Sequence, residues 1–424
     1  MGDMAIRPAR MLVLAALLGV LTSACGTAAA AEEVRSSATR AAVDVAAAKK
    51  ANAALDAFAV ELYRKIASKP GNVVLSPYSV AVALAMTRAG AAGETARQMD
   101  AVLRAGLAGN LDAGHNALDQ AIAKRPGKYK VGDQTLDLEL ATANRLWGQK
   151  GFSFEQAFLD RLASSYGAGM QIVDYKTAAD ASRKTINDWV AARTKDRIKD
   201  LIPEGVLNAS TRLVLTNAIY LKASWMVRFD DAVAGPFSRA NGSLVSVPLM
   251  RQSETMRYGE GIGYQIVAIP YAGGLSMLVV VPNAGRFATV EAALDGASLR
   301  TAIGAMRPRH VNLTFPKFTF RTEASLKDTL AAMGMPLAFT DDADFSGMTK
   351  QERLAIAEVL HQAFIAVDEK GTEAAAATAV VMRATSAPAE PVELRVDRPF
   401  MFAIQDDETG ALLFMGRVTD PKAN

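Results

Sequence analysis

The first clear periodicity in the chain is helical. Leu55, Phe58, Ala59, Leu62, Tyr63 and Ile66 recur at three- and four-residue spacing, which predicts an amphipathic helix opening a folded domain near Ala51. Ser76-Pro77 predicts the start of a second helix, with Ser as the N-cap and Pro at the first helical position, and Gly90 is placed to end it. Alternation then takes over. Leu136, Leu138 and Leu140 read as a strand, as do Val311, Leu313 and Phe315 and the long run from Leu354 to Asp368. Phe400 to Gln405 and Leu412 to Val418 flank Asp406-Asp407-Glu408-Thr409-Gly410, the pattern of a hairpin. Helices dominate the first half and strands the second, which predicts an α+β domain over residues 51–424 built on a mainly antiparallel sheet, with no internal repeat and no linker after residue 50.

The chain before this domain has a different character. Arg7 and Arg10 precede an apolar run from Met11 to Leu21, too short to span a bilayer as a helix but suited to an export signal, assigned to residues 1–24. Thr22-Ser23-Ala24-Cys25-Gly26 resembles a bacterial lipobox, which makes Cys25 a candidate for lipidation and membrane anchorage. Thr22 stands where that motif usually has Leu, and Ala28 to Ala31 offers a site for ordinary signal cleavage, so both a secreted protein and a cell-envelope lipoprotein are expected readings. Residues 25–50 are Ala-rich with few large apolar side chains and read as a tether or frayed helix.

Composition narrows the function. Half of the 424 residues are hydrophobic, and 47 basic against 44 acidic side chains give a net charge of +3, as in a soluble globular protein. The basic residues are scattered, so no nucleic-acid partner is expected. Cys25 is the only cysteine, which excludes an intramolecular disulfide. The sequence has no nucleophile elbow, no phosphate-binding Gly-Lys-Ser/Thr loop and no paired-histidine zinc helix. With only His115, His310 and His361 available, an enzyme is not expected, nor a metal or another cofactor. His361 shares a strand face with Ala357, Val359, Ala363, Ile365 and Val367, which predicts a buried, hydrogen-bonded core histidine.

The unusual stretch follows that strand. Glu369-Lys370-Gly371-Thr372-Glu373 leads into Ala374-Ala375-Ala376-Ala377-Thr378-Ala379-Val380-Val381 and then into the polar, proline-bearing Ser386 to Pro391. Alone, four alanines suggest a helix. The neighbours decide otherwise, because Glu369 to Ala377 resembles the hinge of an inhibitory serpin at every position, and LRVDRPFMFAI from Leu394 to Ile404 is similar to the family's signature after its reactive loop. NVVLSPYSV from Asn72 to Val80, Asn217 to Tyr220 with Lys222 and Trp225, Phe315 to Phe318, and Asp344 to Thr349 resemble further family blocks in the same order. The likeness covers residues 51 to 420, and Ala223 is a departure where glycine is common.

The resemblance implies a serpin fold, helices around a large central sheet with a reactive loop at about 369–391. It also implies a monomer whose partner is a serine-type protease held as a covalent acyl complex. The loop is cleaved as a substrate, and the segment before the cut inserts as a new strand. The small side chains from Gly371 to Ala379 suit a segment that must be both solvated loop and buried strand. Sixteen steps from Glu369 to Thr385, at roughly 3.3 Å each, span about 50 Å, comparable to the diameter of a domain of this size. By family position, the hinge comprises Glu369, Gly371, Thr372, Glu373, Ala374, Ala375, Ala376 and Ala377; the shutter, Ser76, Ser79, Asn217 and His361; the breach, Trp225. Family spacing puts the reactive bond between Thr385 and Ser386, which suits elastase-like or subtilisin-like pockets, with Arg383 as the alternative for a trypsin-like pocket. A non-inhibitory carrier or storage protein on the same fold is the competing reading; a hydrolase is the third.

Overall fold

The computed structural model describes residues 31–373 and 390–423. The assignments made for residues 1–24, Cys25, Ala374 to Ala377, Arg383, Thr385 and Ser386 lie outside the described residues. In the order of the chain the helices are α1 (Val45–Ile66), α2 (Pro77–Arg88), α3 (Gly93–Val102), α4 (Ala105–Ala108), α5 (Leu111–Ile122), α6 (Gln156–Tyr166), α7 (Tyr175–Arg193), α8 (Phe287–Ala293), α9 (Gly296–Ala305) and α10 (Lys327–Met333).

The strands form two sheets. The first, which carries the candidate site, runs β1 (Glu32–Val34), β6 (Met170–Val173), β5 (Arg145–Gln149), β7 (Leu213–Ser224), β15 (Gly371–Thr372), β14 (Glu358–Asp368), β13 (Phe318–Ser325), with β4 (Gln134–Thr142) also on β7 and β3 (Gly127–Val131) on β4. The second runs β16 (Val392–Arg395), β12 (Arg307–Pro316), β9 (Leu244–Gly261), β10 (Tyr264–Pro270), β11 (Leu275–Pro282), β17 (Phe400–Asp406), β18 (Leu412–Val418), β2 (Val73–Leu75), with β8 (Val233–Ser238) on β9. The predicted hairpin is β17–β18. The run expected from Leu354 becomes a strand only at Glu358; Leu354 and Ile356 are buried but lie before it.

One core joins the sheets to the helices. Phe58, Leu62 and Tyr63 from α1, Leu84 from α2, Phe315 and Phe318 from the two sheets and Phe400 and Phe402 from β17 belong to a single buried cluster. The Ser76 side chain accepts from the N–H of Ser79, and Pro77 opens α2 as predicted. The helix closes at Ala89, just before Gly90, where an added Cβ would meet Met348 Cγ at 2.1 Å.

The segment expected to be a tether behaves differently across its described part. Glu32–Val34 is an edge strand on β6, and α1 begins at Val45, capped by Asp44, six residues before the predicted domain start. Ala47 and Ala51 are buried, and an added Cβ at Gly114 of α5 would meet Ala51 Cβ at 2.3 Å and Ala47 O at 3.1 Å. A run of alanines thus packs by backbone approach, without the large apolar periodicity that marks a helix in sequence. Gly114→Ala should therefore destabilise the protein by about 1–3 kcal/mol through overpacking, measured as a lowered denaturant midpoint with unchanged slope.

Candidate functional site

The site is the seam between β7 and β14 in the middle of the first sheet. These strands run parallel and pair directly over six positions, from Glu358↔Val214 to Ala363↔Ile219. Above that they part, and β15 occupies the gap. Gly371 and Thr372 pair antiparallel with Ser224 and Ala223 of β7 on one side, and with Asp368 and Val367 of β14 on the other. The beginning of the hinge is therefore already a strand between the two.

Glycine is required there by close approach. A Cβ on Gly371 would lie 2.0 Å from Ala223 O and 2.8 Å from Ser224 Cα. Thr372 is buried, and its hydroxyl pairs with that of Tyr271 at 2.6 Å. Tyr271 stacks on Trp225 with centroids 4.1 Å apart and planes 9° from parallel. Trp225 donates from Nε1 to Asp368 O and from its backbone N to Lys370 O, each at 2.9 Å. The Asp368 carboxylate accepts from the N–H groups of Lys370 and Gly371, closing the turn into β15. An indole fits this corner because it offers a large flat face and one donor.

Two carboxylates flank the seat. Glu369 receives hydrogen bonds from Lys317 Nζ at 2.8 and 3.1 Å and from the N–H of Ala232 at 3.1 Å. Burial works against its charge, but these bonds outweigh it and hold the carboxyl below the usual range. Glu373 is the reverse case. Burial raises its carboxyl above the usual range against the opposing effect of its ion pair with Arg197, which lies on the connection between α7 and β7. Glu373 also takes a left-handed backbone, φ 52°, a conformation disfavoured for any residue with a Cβ.

Lower on the seam, the four residues predicted as the shutter come together. His361 and Asn217 are direct cross-strand partners, and Nδ1 of the imidazole meets Asn217 Oδ1. Nε2 accepts the N–H of Ser76 at 3.1 Å. The ring is therefore neutral with its proton on Nδ1, since a second proton on Nε2 would face a donor. Ser79, one turn along α2, donates to Asn144 beside β5. The Asn217 Nδ2 is buried and has no hydrogen-bond partner among the described residues. Pattern reading foresaw the burial of His361 but missed Tyr271, Asn144 and Arg197, whose roles depend on contacts distant in the chain. Among the described residues, no cluster of metal-ligating side chains occurs, and no helix is long and apolar enough to cross a membrane.

This architecture is that of a serpin. A family model described as serpin (serine protease inhibitor) matches residues 53–421. An uncharacterised serpin-like protein of Thermococcus kodakarensis is 38% identical over 377 residues, covering 87% of this chain and 85% of its own. Human serpin B3 is 36% identical over 371 residues, covering 84% and 95%. The native-state crystal structure of tengpin, a thermophilic serpin, superposes with a TM-score of 0.80 at 26% identity, covering 92% of this chain and all of that one. The chain belongs to the serpin family, whose members are generally inhibitors of serine proteases and not catalysts.

Burial lowers the pKa of His361 from 6.5 to about 4, and that of His115 in α5 likewise to about 4. A histidine held neutral in the fold is protonated first in the unfolded chain. Its stabilisation is complete above about pH 6.5 and is lost as the pH falls towards 4, on the order of 3 kcal/mol per ring at the limit. The unfolding midpoint should fall through this window, and His361→Asn should flatten part of the slope. A midpoint unchanged between pH 7 and 4.5 contradicts the neutral assignment.

Proposed function

We propose that the protein is a suicide-substrate inhibitor of a serine-type protease of elastase-like or subtilisin-like specificity, cut between Thr385 and Ser386. The observation that carries this reading is β15. The hinge has begun to form a strand between β7 and β14, and the same register can be continued. Pairing of Thr372 with Ala223 and Val367 fixes residue sums of 595 across β7 and 739 across β14. Continued downward, Thr378 falls opposite Asn217 on one side and opposite His361 on the other. The unpartnered Nδ2 of Asn217 then has a polar neighbour on the entering strand, and Ala374 and Ala376 take the inward-facing positions above Thr378.

The exchange has a physical direction. Parallel pairing is slightly weaker per residue than antiparallel, and full insertion replaces one parallel seam by two antiparallel ladders. A protease still acylated at Thr385 would be carried along the sheet, and displacing its catalytic groups by about 1 Å slows deacylation on the order of a hundredfold. The export signal and Cys25 support an extracytoplasmic site of action, secreted or anchored by lipid, with the monomer as the acting species. A carrier on the same fold remains the second reading, and it predicts simple cleavage without trapping.

Incubation with subtilisin or elastase should yield a complex that survives hot detergent and releases a C-terminal fragment beginning at Ser386. A fragment beginning at Ala384 moves the reactive residue to Arg383 and the target class to trypsin-like enzymes. Thr372→Arg places an unpaired charge where the strand enters the sheet, so that variant should be cleaved as a substrate; equal complex yields from variant and parent refute insertion. Thr378→Val should lower the stability of the cleaved protein by about 1–3 kcal/mol while leaving the intact protein unchanged. Equal effects on both forms would remove Thr378 from the seam.

A further inference from the structure

The face of the first sheet covered by α7 carries a group of arginines that the function above does not use. Val34 of β1 and Leu146 of β5 both pair with Met170 of β6, so one step further along Arg35, Gly169 and Arg145 lie side by side. Gly169 puts no side chain between its two neighbours. A Cβ there would meet Val34 O at 2.7 Å, Arg35 Cβ at 2.9 Å and Glu33 Oε1 at 3.0 Å, so the Glu33 carboxylate enters the space instead. The helix packed on this face, α7, contributes Trp189 and Arg193. The guanidinium carbons of Arg145 and Arg193 each lie 5.6 Å from the centre of the Trp189 ring, which stands edge-on to Trp147 at 5.4 Å. Trp147 is fixed in turn by donating from Nε1 to Thr216 Oγ1 at 2.9 Å.

These arginines lack the partners that such groups ordinarily have. Among the described residues, the side chains of Arg35, Arg145 and Arg193 make no hydrogen bond and no ion pair, and Arg145 Nε is buried without a partner. Arg40, further along the same segment, shows the ordinary arrangement, donating to Asn116 Oδ1 at 2.6 Å and to Asp119 Oδ2 at 2.8 Å. Burial lowers the pKa of Arg145; Glu33 opposes this, and Arg193 and Arg35 add to it. Three guanidiniums thus face one carboxylate, and a half-buried guanidinium with neither an anion nor a full water shell is costly. A guanidinium offers its N–H donors in a planar fork that matches an oxyanion. Trp189 holds two of these forks by their faces, which leaves the donors unused.

We infer that the space between Arg35, Arg145 and Arg193 is an anion site that takes a phosphate group in place of the Glu33 carboxylate. The class of ligand follows from the charges and the donors. Three unpaired cations exceed what one carboxylate neutralises, so a dianion fits better than a monoanion. A tetrahedral phosphate presents oxygens to donors arriving from the three elements β1, β5 and α7. The shared chemistry is a terminal phosphate, whether free in solution or borne by a lipid. The lipid source has a reason in the sequence, since Cys25, the candidate for lipid anchorage, stands ten residues before Arg35. The site lies on the opposite side of β7 from its seam with β14, so it stands apart from the proposed inhibitory machinery.

Equilibrium dialysis of the full chain against radiolabelled inorganic phosphate, at ionic strength held constant with chloride, tests the site. Parent should bind one phosphate per chain, saturably. Arg145→Gln and Arg193→Gln should each weaken binding about tenfold, the loss expected from one charge-assisted hydrogen bond. Arg193 is exposed, so its variant reports on the site even if Arg145→Gln fails to fold. Glu33→Gln removes the competing carboxylate and should tighten binding, while Arg321→Gln, on the edge strand β13 at the far side of the sheet, should match parent. Sedimentation with phosphatidylcholine vesicles carrying phosphatidic acid separates the sources. Vesicle binding by parent that is lost in Arg193→Gln assigns a lipid-borne phosphate, and dialysis binding without vesicle binding assigns a soluble one. No binding in either assay, or equal binding by parent, Arg145→Gln and Arg193→Gln, overturns the site.

Discussion

The structure turns on the parallel pairing of β7 with β14. Two strands joined by six paired positions in the middle of a nine-stranded sheet would ordinarily be fixed, yet here their upper ends are separated by two residues of the hinge. Parallel strands cannot be joined by a tight turn, and these two are brought together by chain segments far apart in sequence. A further strand can be added at this seam without breaking an antiparallel ladder, and unlike the parallel β5–β6 pair it already holds a short strand at its upper end. Across it His361 bridges Asn217 to the N-terminus of α2, and Val214, Ala218 and Leu360 share one buried cluster.

The two ends of the seam are stabilised by different chemistry. At the top, Gly371 fits by lacking a side chain, Thr372 by a single hydroxyl contact, and Trp225 and Tyr271 by a stacked pair that forms the wall. In the middle, a neutral imidazole and a buried amide with an unused donor hold the closed state without satisfying it fully. A buried donor left unpaired costs about 1–3 kcal/mol, and an entering strand can recover it. On the proposed function, this unused donor is one of the groups that the entering strand satisfies.

Much of this was legible in the sequence where physics acts locally. Ser76-Pro77 marked the start of α2, and the alternation around His361 marked a buried strand. The strand-to-strand partners were not legible, because Tyr271, Asn144 and Arg197 act through contacts that no periodicity records. The described part of the Ala-rich segment before Ala51 was misread for a related reason. Its packing uses alanine against glycine and arginine against asparagine and aspartate, so it lacks the apolar stripe by which a docked segment is recognised.

The most direct measurement is the denaturant midpoint of the protein before and after a single cut within residues 374–389, with both fragments retained. If the seam opens to admit the hinge and the residues after it, the cut protein gains two antiparallel ladders and unfolds at a far higher denaturant concentration than the intact protein. A cut protein that unfolds at the same concentration, or at a lower one, would contradict the account.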